Sequence, residues 1–228
     1  MKKELLLENI QIEVELKKIK NIHLRVYAPT GRVYISAPLK MKMETIKAFA
    51  LSRLEWIKKN QEKLRNFKIR PELEFINKEE HFYDGRQFFL SIIERDGRPK
   101  VVINQDKIEL FVKEGTSPDG KKMVLENWYR KQLKEKIPPI IEKWEKIMNV
   151  KVNEFGIKKM KTRWGTCNPR AGRIWLNLEL VKRSHECLEY VVVHEMTHIL
   201  ERSHGKKFIS LMNLFLPEWK VYKEELRK

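Results

Sequence analysis

Cysteine is scarce: only Cys167 and Cys187 occur in a chain of 228 residues. Two thiols cannot build a disulfide scaffold, so the fold has to rest on a core. Glycine and proline number nine each, too few for a collagen-like or linker-like polymer. No apolar run approaches the roughly 20 residues that a bilayer span needs. In the opening Met1-Lys2-Lys3-Glu4-Leu5-Leu6-Leu7, three leucines give way at once to Glu8 and Asn9, which is not the pattern of a signal peptide. No internal repeat or low-complexity block is visible. A soluble protein of a reducing cytoplasm, without membrane association, is the expectation.

Acidic residues are also in deficit, 31 against 48 Lys plus Arg, which leaves a net charge of +17. That surplus suits a polyanion partner or a lysine-rich solvated surface. Lysine is spread along the whole chain, and no aromatic-interleaved RNA motif or zinc-finger pattern accompanies it. The solvated surface is therefore favoured and a nucleic-acid partner is not. Hydrophobic residues make up 42%, enough to exclude a disordered chain.

Residues 9–16 alternate polar and apolar, as a half-buried strand does. Residues 22–26 and 33–35 repeat the pattern around a turn at Pro29-Thr30-Gly31. Ile46, Phe49, Ala50, Leu54 and Ile57 recur at helical steps and predict one helix over 43–64. Further strands are expected at 80–83, 87–93, 101–103 and 107–112. The loop formers of 115–120 mark the best boundary. They separate a β-rich accessory region, 1–116, from a catalytic region, 117–228. Beyond it, helical stretches flank Pro138-Pro139, which either kinks one long helix or opens a second. Residues 151–164 read as extended and 173–178 as a strand. Ser184 can cap a helix from His185 to about Arg202, and a last helix fits 206–217. The fold class is α+β.

Three of the six histidines lie between positions 194 and 204. His194 and His198 are one helical turn apart, so both imidazoles leave one face and can grip one zinc ion. Glu195 is placed to reach the water on that metal. A turn at Ser203-His204-Gly205 can swing His204 back as a third ligand, leaving the fourth position open as a catalytic zinc requires. The preceding Val191-Val192-Val193 implies a partly buried helix, which rarely carries two histidines and a carboxylate without a partner for them. The spacing of His204 fits the metzincin pattern, but Glu201 stands where that pattern has glycine. The helix is therefore expected to run on past it.

The runs Arg163-Trp164-Gly165-Thr166-Cys167, Gly172-Arg173-Ile174-Trp175-Leu176-Asn177, Tyr190 through His198, and Ser203-His204-Gly205-Lys206-Lys207-Phe208 together resemble the YgjP-like metallopeptidase family, relatives of the SprT-like zincins. Arg25-Val26, Gly31 and Ser36-Ala37-Pro38 resemble its N-terminal part. Thr166 replaces the usual Ser, Gly205 stands where Ser is common, and Ile209 where Trp is common. The resemblance implies a zincin-like, zinc-dependent hydrolase with one Zn2+ on His194, His198 and His204, and Glu195 as base.

The strand at 173–178 is expected at the sheet edge beside the metal helix, offering main-chain groups to an extended peptide. Trp175 and Asn177, away from Ile174 and Leu176, then face either a ligand or the core. Arg163 is either an anion-holding or a structural residue. It joins Lys158, Lys159, Lys161, Arg170 and Arg173 in a basic cluster suited to phosphates. Cys167 is expected to pack near the site rather than ligate. Peptide cleavage is the leading function. Hydrolysis of a nucleoside triphosphate such as UTP is the alternative, and a nucleic-acid-binding protein with structural zinc the second.

Overall fold

Alternating side chains build the first sheet, as the sequence requires. A computed structural model describes residues 2–27, 30–66 and 73–227 in two compact units, Met1–Glu72 and Leu73–Lys228. In the first unit, β1 (Lys2–Leu7), β2 (Ile10–Lys17), β3 (His23–Tyr27) and β4 (Arg32–Pro38) pair in the order β1-β2-β4-β3. The central pair β2 and β4 is parallel, and both outer pairings are antiparallel. Ile12, Val14, Val33, Ile35 and Ala37 are buried on one face. They cluster with Ile46, Ala50 and Ile57 of α1 (Met43–Ser52) and α2 (Leu54–Asn66). The single helix expected over 43–64 is broken at Arg53, which leaves helical geometry (φ −112°, ψ 7°). Pro29 of the expected turn lies outside the described residues. Gly31 takes φ +70°, a left-handed conformation that favours glycine.

The second unit begins with β5 (Glu80–Tyr83), β6 (Arg86–Glu94), β7 (Lys100–Asn104) and β8 (Lys107–Val112). Their order is β5-β6-β8-β7, again with a parallel central pair and antiparallel flanks. A helix follows the four strands, as in the first unit. The chain thus contains an internal structural repeat that the sequence conceals. What recurs is strand order, direction and the burial of the central pair, not residue identity.

That helix, α3 (Pro118–Met148), starts at Ser117, whose side chain accepts from Gly120 N at 3.2 Å. It runs unbroken through Pro138-Pro139. A proline inside a helix costs about 3 kcal/mol. Leu133, Ile137, Ile140, Ile141 and Trp144 are buried on either side of the pair, each worth about 1.5–3 kcal/mol, so packing wins over the lost backbone bonds.

A third sheet follows, of β9 (Glu154–Lys158), β10 (Gly165–Asn168) and β11 (Arg173–Asn177), in the order β10-β11-β9. The strand expected at the edge, β11, is therefore central, and β10 holds the edge. A 3-10 turn over Leu178–Lys182 leads to α4 (His185–Leu200), α5 (Lys206–Phe215) and α6 (Trp219–Glu225). Phe88, Leu90, Ile108 and Leu110 share one core with Leu133, Ile137 and Val192. The division thus falls after Glu72 rather than at 116/117, because the β5–β8 sheet packs with the helices that follow it.

Candidate metal centre

The helix that carries the histidines is fixed at both ends. Ser184 Oγ accepts from Cys187 N at 3.4 Å, the cap read from the sequence. Glu189 Oε1 accepts from Trp144 Nε1 at 2.7 Å and Lys143 Nζ at 2.6 Å, tying α4 to α3. Cys187, Leu188, Val191, Val192, Val193 and Met196 are buried. At its other end α4 stops at Leu200, short of the expected Arg202. Glu201 takes φ −144° and ψ 115°, extended geometry open to any residue, so no glycine is needed there. Its carboxylate accepts from Ser203 N at 3.1 Å and Ser203 Oγ at 3.0 Å, folding the chain back toward the helix.

This return brings His204 to the other two imidazoles. One donor nitrogen from each of His194, His198 and His204 lies within 4.8 Å of the others. The Nε2 atoms of His194 and His204 are 3.1 Å apart. Phe208 of α5, buried, packs against all three rings at centroid distances of 4.7–5.0 Å.

The donor set fits a divalent metal. Burial, then the His198, His204 and Lys223 charges, push His194 down to about 3. His204 is lowered by burial and by the charges of His198 and Lys223. Both rings are thus neutral at pH 7, the state that ligates. His198 Nδ1 lies 3.1 Å from Glu201 O. A carbonyl only accepts, so Nδ1 carries the hydrogen and Nε2 keeps its lone pair for a ligand bond.

Glu195 is 5% exposed. Burial raises its carboxyl to about 8, against the pull of the Arg163 guanidinium, near the range suited to proton transfer at neutral pH. It lies against the backbone of β10, where a Cβ on Gly165 would come 2.7 Å from Glu195 Oε1. All four β10 residues line a cleft of about 800 Å³ that also contains the three histidines and Glu195. The far edge of β10 pairs with no strand among the described residues.

Of the expected substrate residues, only Arg163 reaches the cleft. Trp175 lies over Gly156, where a Cβ would sit 2.2 Å from its ring, and beneath Lys158 Nζ at 3.8 Å. Asn177 is buried, and its amide is consumed by backbone. It donates to Met160 O and Arg163 O, and accepts from Met160 N and Glu179 N. Asn177 thereby braces the loop that presents Arg163. Arg173 Nε is 2.6 Å from Glu154 Oε2, and Lys159 is paired with Glu126. Of the expected basic cluster, Arg163 and Arg170 line the cleft, whereas Lys158, Lys159, Lys161 and Arg173 do not, Arg173 being drawn to Glu154 of the neighbouring β9. Cys167 lines the cleft. Its thiol is raised to about 11 by burial and by the Glu195 charge, so it is a poor ligand. Sequence reasoning passed over Arg202, Tyr190 and Phe208. Tyr190 carried a signal, standing one helical turn before His194 with its ring edge-on to it at 5.8 Å.

A family model described as YgjP-like, metallopeptidase domain matches residues 20–228. The chain belongs to that family. Membership makes this YgjP-like chain a metallopeptidase-type hydrolase domain that works with a metal. Among solved structures it is similar to the metallopeptidase zymogen of Pyrococcus abyssi abylysin, at 18% identity and a TM-score of 0.36, over 39% of this chain and 89% of that one. No curated protein matches it. Among the described residues, no helix is long and apolar enough to cross a membrane.

Proposed function

We propose that this YgjP-like chain is a zinc-dependent peptidase acting on extended polypeptide. The observation that carries the reading is the convergence of three imidazole donors, all within 4.8 Å, beside a buried carboxylate at the free edge of a strand. His194, His198 and His204 would hold one zinc ion. Zinc there would supply a Lewis acid and lower the pKa of a coordinated water to about 7. Glu195 takes the proton from the attacking water and passes it to the departing amine. The β10 edge orients the substrate by main-chain hydrogen bonds, as a strand added to a sheet does. Arg163, held by Asn177 through its carbonyl, places positive charge beside Glu195 and the developing oxyanion.

The test sets wild type against Glu195→Gln, each with zinc, on an unstructured protein and on a panel of nucleoside triphosphates. Wild type should cleave the protein, a chelator should stop it, and Glu195→Gln should bind zinc without turnover. Diphosphate release without protein cleavage would overturn the reading.

A further inference from the structure

The charges around the triad name the kind of polypeptide, on the premise of the peptidase reading above. Among the described residues, the cleft is lined by three arginines, Arg163, Arg170 and Arg202, and by a single carboxylate, the buried Glu195. All three arginines are exposed. None forms an ion pair among the described residues, whereas the neighbouring Lys159, Arg173 and Lys207 are matched by Glu126, Glu154 and Glu201.

Their placement follows the strand. Arg163 stands two residues before β10 and Arg170 two residues after it. Arg163 marks the Glu195 end, since Gly165 is the residue that touches Glu195. Arg202 lies two residues past the end of α4, the helix that carries His194 and His198, in the segment that returns His204. An extended segment on the β10 edge therefore meets a guanidinium at each end, with a third beside the triad. A neutral segment leaves all three solvated, and a basic one is repelled. A carboxylate satisfies the planar fork of a guanidinium with two hydrogen bonds. The cations are strung along a strand edge, which matches side chains on a polypeptide better than phosphates gathered in one nucleotide.

We propose that the cleft selects extended polypeptide segments with acidic side chains flanking the cleaved bond, read by Arg163 and Arg170 along β10 and by Arg202 beside the triad. Binding is measured by fluorescence anisotropy on full-length, zinc-loaded Glu195→Gln, with three labelled peptides of one length: acidic, neutral and basic. The acidic peptide should bind about tenfold or more tighter than the neutral one, and the gap should shrink as salt rises. Arg170→Ala and Arg202→Ala should each narrow it, Arg202→Glu should turn the preference toward the basic peptide, and Lys122→Ala, on exposed α3 surface, should leave it intact. Equal binding of the three peptides overturns the proposal. So does displacement of the acidic peptide by a nucleoside triphosphate at far lower concentration than by an unlabelled acidic peptide. Cleavage by wild type separates the two levels. Equal kcat/KM for acidic and neutral peptides removes the selectivity and leaves the peptidase, whereas no cleavage of any peptide removes both.

Discussion

Gly165 is the position where one added methyl group should damage catalysis most selectively. A Cβ there would lie 2.7 Å from both Cγ and Oε1 of Glu195, and 2.9 Å from Cδ. Carbon contacts settle at about 3.5–4.0 Å, so one side has to yield by about 0.8 Å or more. Strand β10 is held by its ladder to β11, and the Glu195 backbone sits inside α4. The carboxylate is the part free to move. A displacement approaching 1 Å costs about a hundredfold in rate. Overpacking costs about 1–3 kcal/mol. Gly165 has no positive φ, so alanine returns about 0.4–1 kcal/mol by restricting the unfolded chain. Gly165→Ala should therefore fold, bind one zinc ion with wild-type affinity in competition with a chelating dye, and cleave an unstructured protein about a hundredfold more slowly. Wild-type cleavage would refute the idea that the seat of Glu195 against β10 sets the rate. Loss of zinc together with activity would show that the strain reaches the imidazoles instead.

Two further predictions concern the frame of the site. Burial alone would raise the Glu189 carboxyl, but hydrogen bonds from Lys143 and Trp144 outweigh it and hold it below its ordinary 4.5. Its contribution to stability is therefore present above that value and lost as pH falls through the depressed one. Glu189→Gln should lose about 1–2 kcal/mol at pH 7, the figure being discounted because Lys143 is half exposed. Urea unfolding should show the gap closing below about pH 4, and a gap unchanged at pH 3 contradicts the assignment. Trp175→Leu should cost about 1–2 kcal/mol through lost packing over Gly156 and lost contact with Lys158, with KM for peptide unmoved. A raised KM would return Trp175 to the substrate.

The sequence was most legible where one local rule acts alone. Ser184 before an apolar run is a cap, and the His194–His198 spacing is a helical face; both stand as read. The return of His204 was expected from spacing, but the device that achieves it was not. Glu201 ends the helix with extended backbone and a carboxylate clasp on Ser203, which no glycine rule anticipates. Trp175, Asn177 and Arg173 were misplaced together for one reason. Alternation says which residues share a face of β11, but not whether the strand is an edge, and that depends on where the non-local partners β9 and β10 pair. The 116/117 boundary failed in the same way: the loop at 115–120 is real, yet the core passes across it. Pro138-Pro139 posed a choice between a kink and a restart that propensity could not settle, and burial on both flanks settled it.

The residues with chemistry to perform are few, and others with none set their precision. His194 and His198 keep their geometry because α4 is capped at Ser184 and tied to α3 by Glu189. His204, on a loop, would be the weak member of the set. Phe208 offsets this by contacting all three rings at once, so displacing one imidazole disturbs the packing of the others. Glu201 works on two fronts, orienting His198 through its carbonyl and clasping the His204 loop through its carboxylate. Ring orientation and loop position are thus coupled through one residue. A metal ion would meet a nearly assembled site, and the ordering entropy that a loose loop would lose on binding is already spent in folding.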